Sequence, residues 1–495
     1  MQIKFSPFFF LFLIMFSVYS QEKEITSKLY ETYEAYKEPS LDKRRIKYHE
    51  IQPLITEYRK NPKFTVKTVG TSIEGRDLNL ISIGKGEISV FLWSQMHGNE
   101  PTATLAIFDI LNFLDSDDFK AEKKEILDNT TLHFLPMLNP DGAEVYQRRN
   151  RLGIDINRDA LRLQSPEGST LKRMRDSLEA DFGFNLHDQS TYYNAERTEK
   201  PATISYLAPA YNYEKEVNEV RSNAMKVIAF MNDIIQKYAP GQVGKYNDDF
   251  EPRAFGDNIQ KWGTSAILIE SGGYPNDIEK QEIRKLNYVS ILSAIYTIAN
   301  GSYTDISLED YDKIPENDRK LFDLKIENAT YNLLDTDYIL DIGINQLEVD
   351  KQGNTDFWYS SRILDLGDLS TYYGYETLNA NGYTLKDGKV YPEVFGSLQN
   401  LEAFDFSTAL KQGYTYIRVK EIAPEQLESP YPVNIISEKY EVPQFNLEVG
   451  INPTFILERD TKTVYAVING FLIEMDKAGK SINSYFQGKN GMIYR

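Results

Sequence analysis

Residues 89–100 read SVFLWSQMHGNE, an apolar run that ends in histidine, glycine, asparagine and glutamate. The run Ser89–Met96 is apolar and has the pattern of a strand. His97 and Glu100 lie three residues apart, and the two residues between them give the backbone freedom for a tight turn. Neutral imidazole and carboxylate are ligands that zinc accepts, so the segment predicts part of a metal site. The alternative interpretation is an ordinary helix start, with Glu100 facing the helix dipole.

Polar residues that suit the same site occur later in the chain. His187 is the candidate for a third ligand, and the chain has no cysteine for that role. A catalytic zinc takes three protein ligands and leaves one position to water. Asp155, Asn157 and Arg158 alternate along a predicted strand end, so their side chains can share a face. Guanidinium and amide groups on one face can hold a carboxylate by charge-assisted hydrogen bonds.

Two regions of different texture divide the chain. Up to residue 303, strand-like and helical patterns alternate, which predicts an α/β domain with a mixed β-sheet flanked by helices. Beyond it, short apolar runs are separated by Asp-, Asn- and Gly-rich turns, which predicts an all-β C-terminal domain. Asn469-Gly470 between two apolar runs predicts a type I′ hairpin. We expect a catalytic domain over residues 21–303 and a β-rich accessory domain over residues 304–495.

Residues 1–20 have the pattern of a signal peptide. Lys4 precedes an apolar stretch from Phe8 to Phe16, and small residues lead to Gln21. The stretch is too short to span a bilayer comfortably, and no later apolar run approaches the length of a transmembrane segment. We therefore expect an exported protein, which is secreted, periplasmic or on the cell surface, with no integral membrane segment in the mature chain.

The charge balance bears on the class of partner. The 495 residues include 73 acidic and 55 basic side chains, for a formal net charge of −18. Such an acidic chain is a poor partner for nucleic acid or an anionic membrane surface. The chain contains no cysteine, but a protein of this length can bury a sufficient apolar core without disulfides.

Taken in order, the motifs of the first domain resemble those of the zinc carboxypeptidases, a family of metallocarboxypeptidases. The resemblance extends over about residues 24–300. It is carried by Ser72-x-Glu-Gly-Arg76, His97-Gly-Asn-Glu100, Asn139-Pro-Asp-Gly142, Arg148, Gly153-Ile-Asp155-Ile-Asn157-Arg158, the His187 of Asn185-Leu-His-Asp, and the Glu270 that ends Ala266-Ile-Leu-Ile-Glu. The resemblance implies the family's fold, a mixed sheet flanked by helices, and hydrolysis of peptide or protein substrates with a free C-terminal carboxylate.

The resemblance assigns the metal and the catalytic groups. His97, Glu100 and His187 would bind one zinc ion per chain, and Asp155 would orient the first histidine and raise its donor strength. Glu270 would be the general base, which takes a proton from a water that zinc activates and then passes it to the leaving amine.

The resemblance also assigns the groups that contact the substrate. Arg148 would polarise the scissile carbonyl and stabilise the oxyanion. Asn157 and Arg158 would hold the terminal carboxylate, and Arg76 would line a subsite further along the peptide. Tyr246 is the nearby candidate for the family's mobile tyrosine, which covers the bound substrate. The preferred C-terminal residue is left open by the sequence.

Three functions are compatible with these residues. The leading hypothesis is an exported zinc metallocarboxypeptidase. A zinc-dependent deacylase or cell-wall peptide amidase would share the His-x-x-Glu and Asn-Arg motifs, although the Ser-x-Glu-Gly-Arg and Asn-Pro-Asp-Gly segments favour the peptidase. A non-catalytic peptide- or glycan-binding protein would be expected to have lost a metal ligand or Glu270, but all three candidate ligands and Glu270 are present.

Overall fold

The computed structural model describes residues 24–475 and 491–495. The chain forms two compact units, which divide between Arg319 and Lys320. The predicted signal peptide at residues 1–20 lies outside the described residues. Within the described ranges, no helix is both long enough and apolar enough to cross a membrane.

An eight-stranded sheet lies at the centre of the first unit. The strands of the unit, in chain order, are β1 (Thr65–Thr71), β2 (Asp77–Gly84), β3 (Ile88–Ser94), β4 (Thr130–Leu135), β5 (Phe182–Asp188), β6 (Asn194–Ala195), β7 (Ile204–Leu207), β8 (Val243–Lys245), β9 (Ser265–Ser271) and β10 (Asn317–Asp318). The sheet has the order β1-β2-β4-β3-β5-β9-β7-β8, and β6 pairs with β10 in a separate ribbon. Strands β4, β3, β5 and β9 are parallel, whereas β2 and β7 join them antiparallel. The predicted mixed sheet is confirmed.

Helices pack on both faces of this sheet. They are α1 (residues 24–32), α2 (Tyr48–Lys60), α3 (Thr102–Asp115), α4 (Lys120–Asn129), α5 (Pro140–Glu144), α6 (Pro166–Leu178), α7 (Glu219–Tyr238), α8 (Phe255–Lys261), α9 (Gln281–Asn300) and α10 (Leu308–Asp312). On β3, Val90 and Leu92 belong to the core that α3 and α9 cover, whereas Phe91 and Trp93 belong to the core that α6 and α8 cover. Burial on both faces explains why this strand reads as a continuous apolar run.

The parallel strands bring the candidate site residues to one edge of the sheet. His97 follows β3, and His187 and Glu270 are the second-last residues of β5 and β9. His187 and Glu270 are direct partners in the pairing of β5 with β9. Because parallel strands present their carboxyl ends at the same edge, three separate segments converge there.

The first unit extends beyond the change in sequence texture at Tyr303. Tyr311 and Ile314 are buried in its core, and β10 pairs with β6. Residues 304–319 therefore pack with the first unit, although their sequence lacks the long helical and strand patterns that precede them.

The second unit is rich in β-structure. Its described strands are β11 (Leu321–Leu333), β12 (Thr336–Asn345), β13 (Glu348–Asp350), β14 (Phe357–Tyr359), β15 (Arg362–Gly367), β16 (Tyr373–Asn379), β17 (Thr384–Asp387), β18 (Lys389–Ser397), β19 (Tyr414–Glu421), β20 (Glu428–Ser429), β21 (Asn434–Ser437), β22 (Phe455–Arg459), β23 (Lys462–Ile468), β24 (Phe471–Glu474) and β25 (Gly491–Tyr494). A 3-10 helix (Leu398–Leu401) and the short α-helix α11 (Phe406–Lys411) lie between β18 and β19. Asn469 and Gly470 join β23 to β24 with φ of 47° and 79°, as a type I′ turn requires.

Candidate metal centre and active site

Two histidines and one glutamate form a buried group at the carboxyl edge of the sheet. We call His97, Glu100 and His187 the metal group. The ligating atoms of His97, Glu100 and His187 all lie within 4.8 Å of one another. Glu100 Oε2 is 2.8 Å from His97 Nδ1 and 2.7 Å from His187 Nδ1, and the two Nδ1 atoms are 3.2 Å apart. If both imidazoles are neutral and carry no proton on Nδ1, the lone pairs of the two nitrogens and of the carboxylate oxygen face one another. A cation between these three atoms stabilises that arrangement. The donor set of two imidazoles and one carboxylate fits zinc.

Asp155 fixes which nitrogen of His97 faces this group. Its Oδ1 is 3.1 Å from His97 Nε2, so a proton on Nε2 is hydrogen-bonded and Nδ1 is left as a free donor to metal. Its Oδ2 accepts a 3.0 Å hydrogen bond from Nε of Arg148. Burial acts to raise the pKa of Asp155, but the hydrogen bond from His97 and the charge of Arg148 outweigh it and hold the pKa well below its usual range.

Gly98 and Gly142 pack the two motifs of the site against each other. A Cβ on Gly98 would lie 2.1 Å from the carbonyl carbon of Gly142 and 2.3 Å from the nitrogen of Ala143. Gly98 does not have positive φ, so close backbone approach, rather than the turn freedom expected from the sequence, requires a glycine here. Asn139 caps α5 through the Gly142 N–H, at 2.9 Å, and its Nδ2 donates to the carbonyl of Arg148. The Asn139–Gly142 motif thus supports both the metal ligands and Arg148.

Arg148 lies directly beside the metal group. Its Nη1 is 3.2 Å from Glu100 Oε1 and 3.1 Å from His97 Nδ1, and the side chain is 42% exposed. A guanidinium that is fixed on one side and open to solvent on the other can present positive charge to a bound substrate.

Glu270 lies partly buried next to His187. Among the described residues, none donates a hydrogen bond to its carboxylate. Burial raises the pKa of Glu270 well above its usual value, and the nearby charges of Glu100 and Asp188 raise it further. Burial raises the pKa of Tyr246, and the charge of Glu270 raises it further. The role of Tyr246 as the tyrosine that covers the substrate stays a prediction.

Asn157 and Arg158 lie in a 3-10 helix, Ile156–Arg158, rather than at the predicted strand end. The Asp155 side chain caps this turn by accepting the Asn157 N–H at 3.0 Å. Asn157 Oδ1 accepts the N–H of Phe255, which ties the turn to α8. The Arg158 side chain is 37% exposed, with its Nε 3.7 Å from Glu251.

Arg76 does not join the metal group. Its Nη1 makes 2.6 Å contacts with both Asp141 and Glu74, and Asp141 also accepts from Ser72 and from the backbone of Glu74. These bonds connect the Ser72–Arg76 motif to the Asn139–Gly142 motif. Asp141 and Arg76 both stand in the quoted motifs, but nothing in the sequence indicates that Asp141 is the partner of Arg76. The role of Arg76 in a substrate subsite stays a prediction.

Comparisons with known proteins agree on one family for this region. Residues 54–239 match the family model described as zinc carboxypeptidase, a range that includes His97, Glu100 and His187 and ends before Glu270. Carboxypeptidase SOL1 of Arabidopsis thaliana is 33% identical over 100 residues, which are 19% of this chain and 20% of that protein. Carboxypeptidase B of Astacus astacus is 23% identical over 235 residues, which are 47% of this chain and 66% of that protein. The chain thus spans less than two thirds of the length of either relative. A solved metallo-carboxypeptidase from Burkholderia cenocepacia has a TM-score of 0.43 and 17% identity, covering 52% of this chain and 69% of its own.

Proposed function

We propose that the protein is a zinc-dependent metallocarboxypeptidase that releases amino acids from the C-termini of peptides, since residues 54–239 match the zinc carboxypeptidase family model. The observation that carries the proposal is the convergence of His97, Glu100 and His187 on one point, directly beside Glu270 and Arg148. Zinc held there supplies a Lewis acid that polarises a carbonyl and makes a water molecule more acidic.

The residues around the metal group supply the other requirements of peptide hydrolysis. Glu270 takes a proton from the attacking water and delivers it to the leaving amine, and its raised pKa suits a group that exchanges protons near neutral pH. Arg148 provides positive charge where the oxyanion forms, and Asp155 keeps the guanidinium in place through a 3.0 Å hydrogen bond.

A defined peptide mixture tests this function. The protein is incubated with peptides that have free C-termini, with and without a zinc chelator, and the products are read by mass spectrometry. We expect stepwise loss of single C-terminal residues, which stops when the chelator removes zinc and resumes when zinc is returned. Internal cleavage, or cleavage of N-acyl amino acids or cell-wall peptides in place of C-terminal residues, would instead support the deacylase or amidase alternative.

Substitution of Arg158 tests how the substrate is held. Arg158→Met should raise KM about 10-fold to 100-fold with little change in kcat, because a charge-assisted bond to the terminal carboxylate binds substrate and transition state alike. The measurement is steady-state kinetics on one peptide as the free acid and as the C-terminal amide. The wild-type preference for the free acid should shrink in the variant. Arg162→Met, which changes an exposed arginine nearby, is the matched control. An unchanged acid preference in Arg158→Met would contradict the assignment.

We also propose that the protein acts after export, on the basis of the signal-peptide pattern of residues 1–20. The test is N-terminal sequencing of the protein from the native host. A mature chain that begins near Gln21 is the expected result, and an intact N-terminus on protein from inside the cell would contradict it.

A further inference from the structure

A buried lysine connects the two strand ends that carry His187 and Glu270. Lys280 Nζ donates to Asp188 Oδ2 at 3.0 Å and to the carbonyl oxygen of Ser271 at 3.0 Å. The side chains of Lys280 and Asp188 are 7% and 8% exposed, so the ion pair is shielded from solvent.

The two groups that Lys280 contacts are partners in the sheet. Asp188 directly follows His187 on β5, Ser271 directly follows Glu270 on β9, and both pairs are in register. Both strands end at this point, where one further backbone bond joins them, from the Gln189 N–H to the Ser271 carbonyl oxygen at 3.0 Å. One ammonium group therefore joins the ends of both strands, one residue beyond the ligand and the base.

The same carboxylate reaches a third segment of the site. Asp188 Oδ2 accepts a 2.5 Å hydrogen bond from the hydroxyl of Thr102, the first residue of α3. The Asp188 N–H lies 3.3 Å from Oε2 of Glu100, which precedes that helix by two residues. The contacts of Asp188 thus extend from the Lys280 side chain to the segment that carries the second metal ligand.

The backbone at Lys280 adopts a conformation that glycine would take more readily. Its φ is +52°, in the left-handed region that few residues other than glycine occupy. The Asp277 carboxylate fixes this turn by accepting the N–H groups of Gln281 and Glu282 at 2.7 and 2.9 Å. This fixed turn supports the backbone from which the Lys280 side chain reaches Asp188 and Ser271.

We propose that Lys280 is a positioning residue of this site, which holds the ends of β5 and β9 so that His187 and Glu270 keep their mutual placement. The catalytic part of the proposal rests on the proposed function. Among the described residues, the Lys280 side chain forms no hydrogen bond or ion pair with the metal group or with the segment Asn157–Arg158. Its loss should therefore disturb the metal site and the chemical step more than the binding of the terminal carboxylate.

Zinc affinity provides a test that is independent of catalysis. The metal-free protein is titrated with zinc in competition with a chromogenic chelator. Lys280→Met should raise the Kd for zinc about 10-fold to 100-fold, the range typical of residues that support metal ligands without touching the metal. Lys313→Met is the matched control, because Lys313 forms an ion pair with Asp310 at 2.7 Å but is 71% exposed. The control should bind zinc as the wild type does.

A double variant separates positioning from charge compensation. Lys280→Met alone leaves the Asp188 carboxylate buried without its cation, which can destabilise the fold. Asp188→Asn combined with Lys280→Met removes both buried charges, and melting temperature reports whether the fold is kept. The double variant should still have a raised Kd for zinc and a kcat lowered about 10-fold or more, with KM within about threefold of wild type.

Two results would overturn the proposal. One is wild-type zinc affinity in Lys280→Met, and the other is a double variant that recovers wild-type Kd and kcat, since charge compensation alone would then explain the lysine. If the wild-type protein binds zinc but releases no C-terminal residue, the proposed function fails, while the zinc affinities still decide the role of Lys280.

Discussion

Replacing His187 with alanine should remove zinc from the protein and abolish peptide hydrolysis. The side chain is buried, and its Nδ1 lies 2.7 Å from Glu100 Oε2 and 3.2 Å from His97 Nδ1. Structural zinc sites with four ligands bind with about 10–16 kcal/mol, or about 2.5–4 kcal/mol per ligand. Loss of one ligand therefore lowers affinity by a factor of about 10²–10³. Zinc content at limiting free zinc, measured by elemental mass spectrometry, should fall from one ion per chain to a small fraction of that value.

His133→Ala is the matched control for this change. His133 lies on β4, outside the metal group, with its Nδ1 2.8 Å from the hydroxyl of Ser82. Burial lowers the pKa of His133 to about 4, so the ring is neutral at the pH of the assay. The control should keep zinc and activity. Full zinc occupancy in His187→Ala would show that a different residue is the third ligand.

Patterns within single segments were sufficient for the central sheet. The apolar run that leads to His97 is a strand buried on both faces, which needs no information from the rest of the chain. The Asn469-Gly470 turn is equally local, because both residues tolerate the positive φ that a type I′ turn demands. These predictions of the fold are confirmed for physical reasons that the sequence contains.

The segment after Asp155 shows where such patterns fail. Polar residues at alternate positions predicted a strand end, but the segment Ile156–Arg158 is a 3-10 helix. The Asp155 carboxylate accepts the N–H two residues ahead, and this local bond replaces the partner that a strand would need. Alternation alone does not distinguish the two outcomes, because a capped turn and a strand end can have the same sequence of polar residues.

The contacts of Lys280 could not be predicted from the sequence. Its partner Asp188 is 92 residues away in the chain, and although Asp188 ends the quoted segment Asn185-Leu-His-Asp, no pattern in the sequence connects Lys280 to it. The contact exists because α9 begins beside the end of β9, which is a consequence of the whole fold. The metal group is different, because each of its members follows a recognisable strand and the resemblance to a known family names all three.

The surroundings of Glu270 favour a carboxylate that exchanges protons. The side chain sits at the sheet edge beside His187, where burial and the charges of Glu100 and Asp188 raise its pKa. The cations Arg148 and Lys280 oppose this shift without reversing it. A raised pKa makes the carboxylate a stronger base, which favours the proton transfer that a general base performs.

Glu270→Gln should lower kcat by about a thousandfold, within the range of about 10²–10⁴ for loss of a positioned general base. The amide has nearly the same shape as the carboxylate, and Glu270 is not one of the grouped ligands, so zinc content and KM should change little. The measurement pairs steady-state kinetics on a C-terminally free peptide with zinc analysis of the same sample. Glu214→Gln, at an exposed position of the same unit, is the matched control and should behave as wild type. If Glu270→Gln keeps zinc and more than about a tenth of wild-type kcat, another group must take the proton.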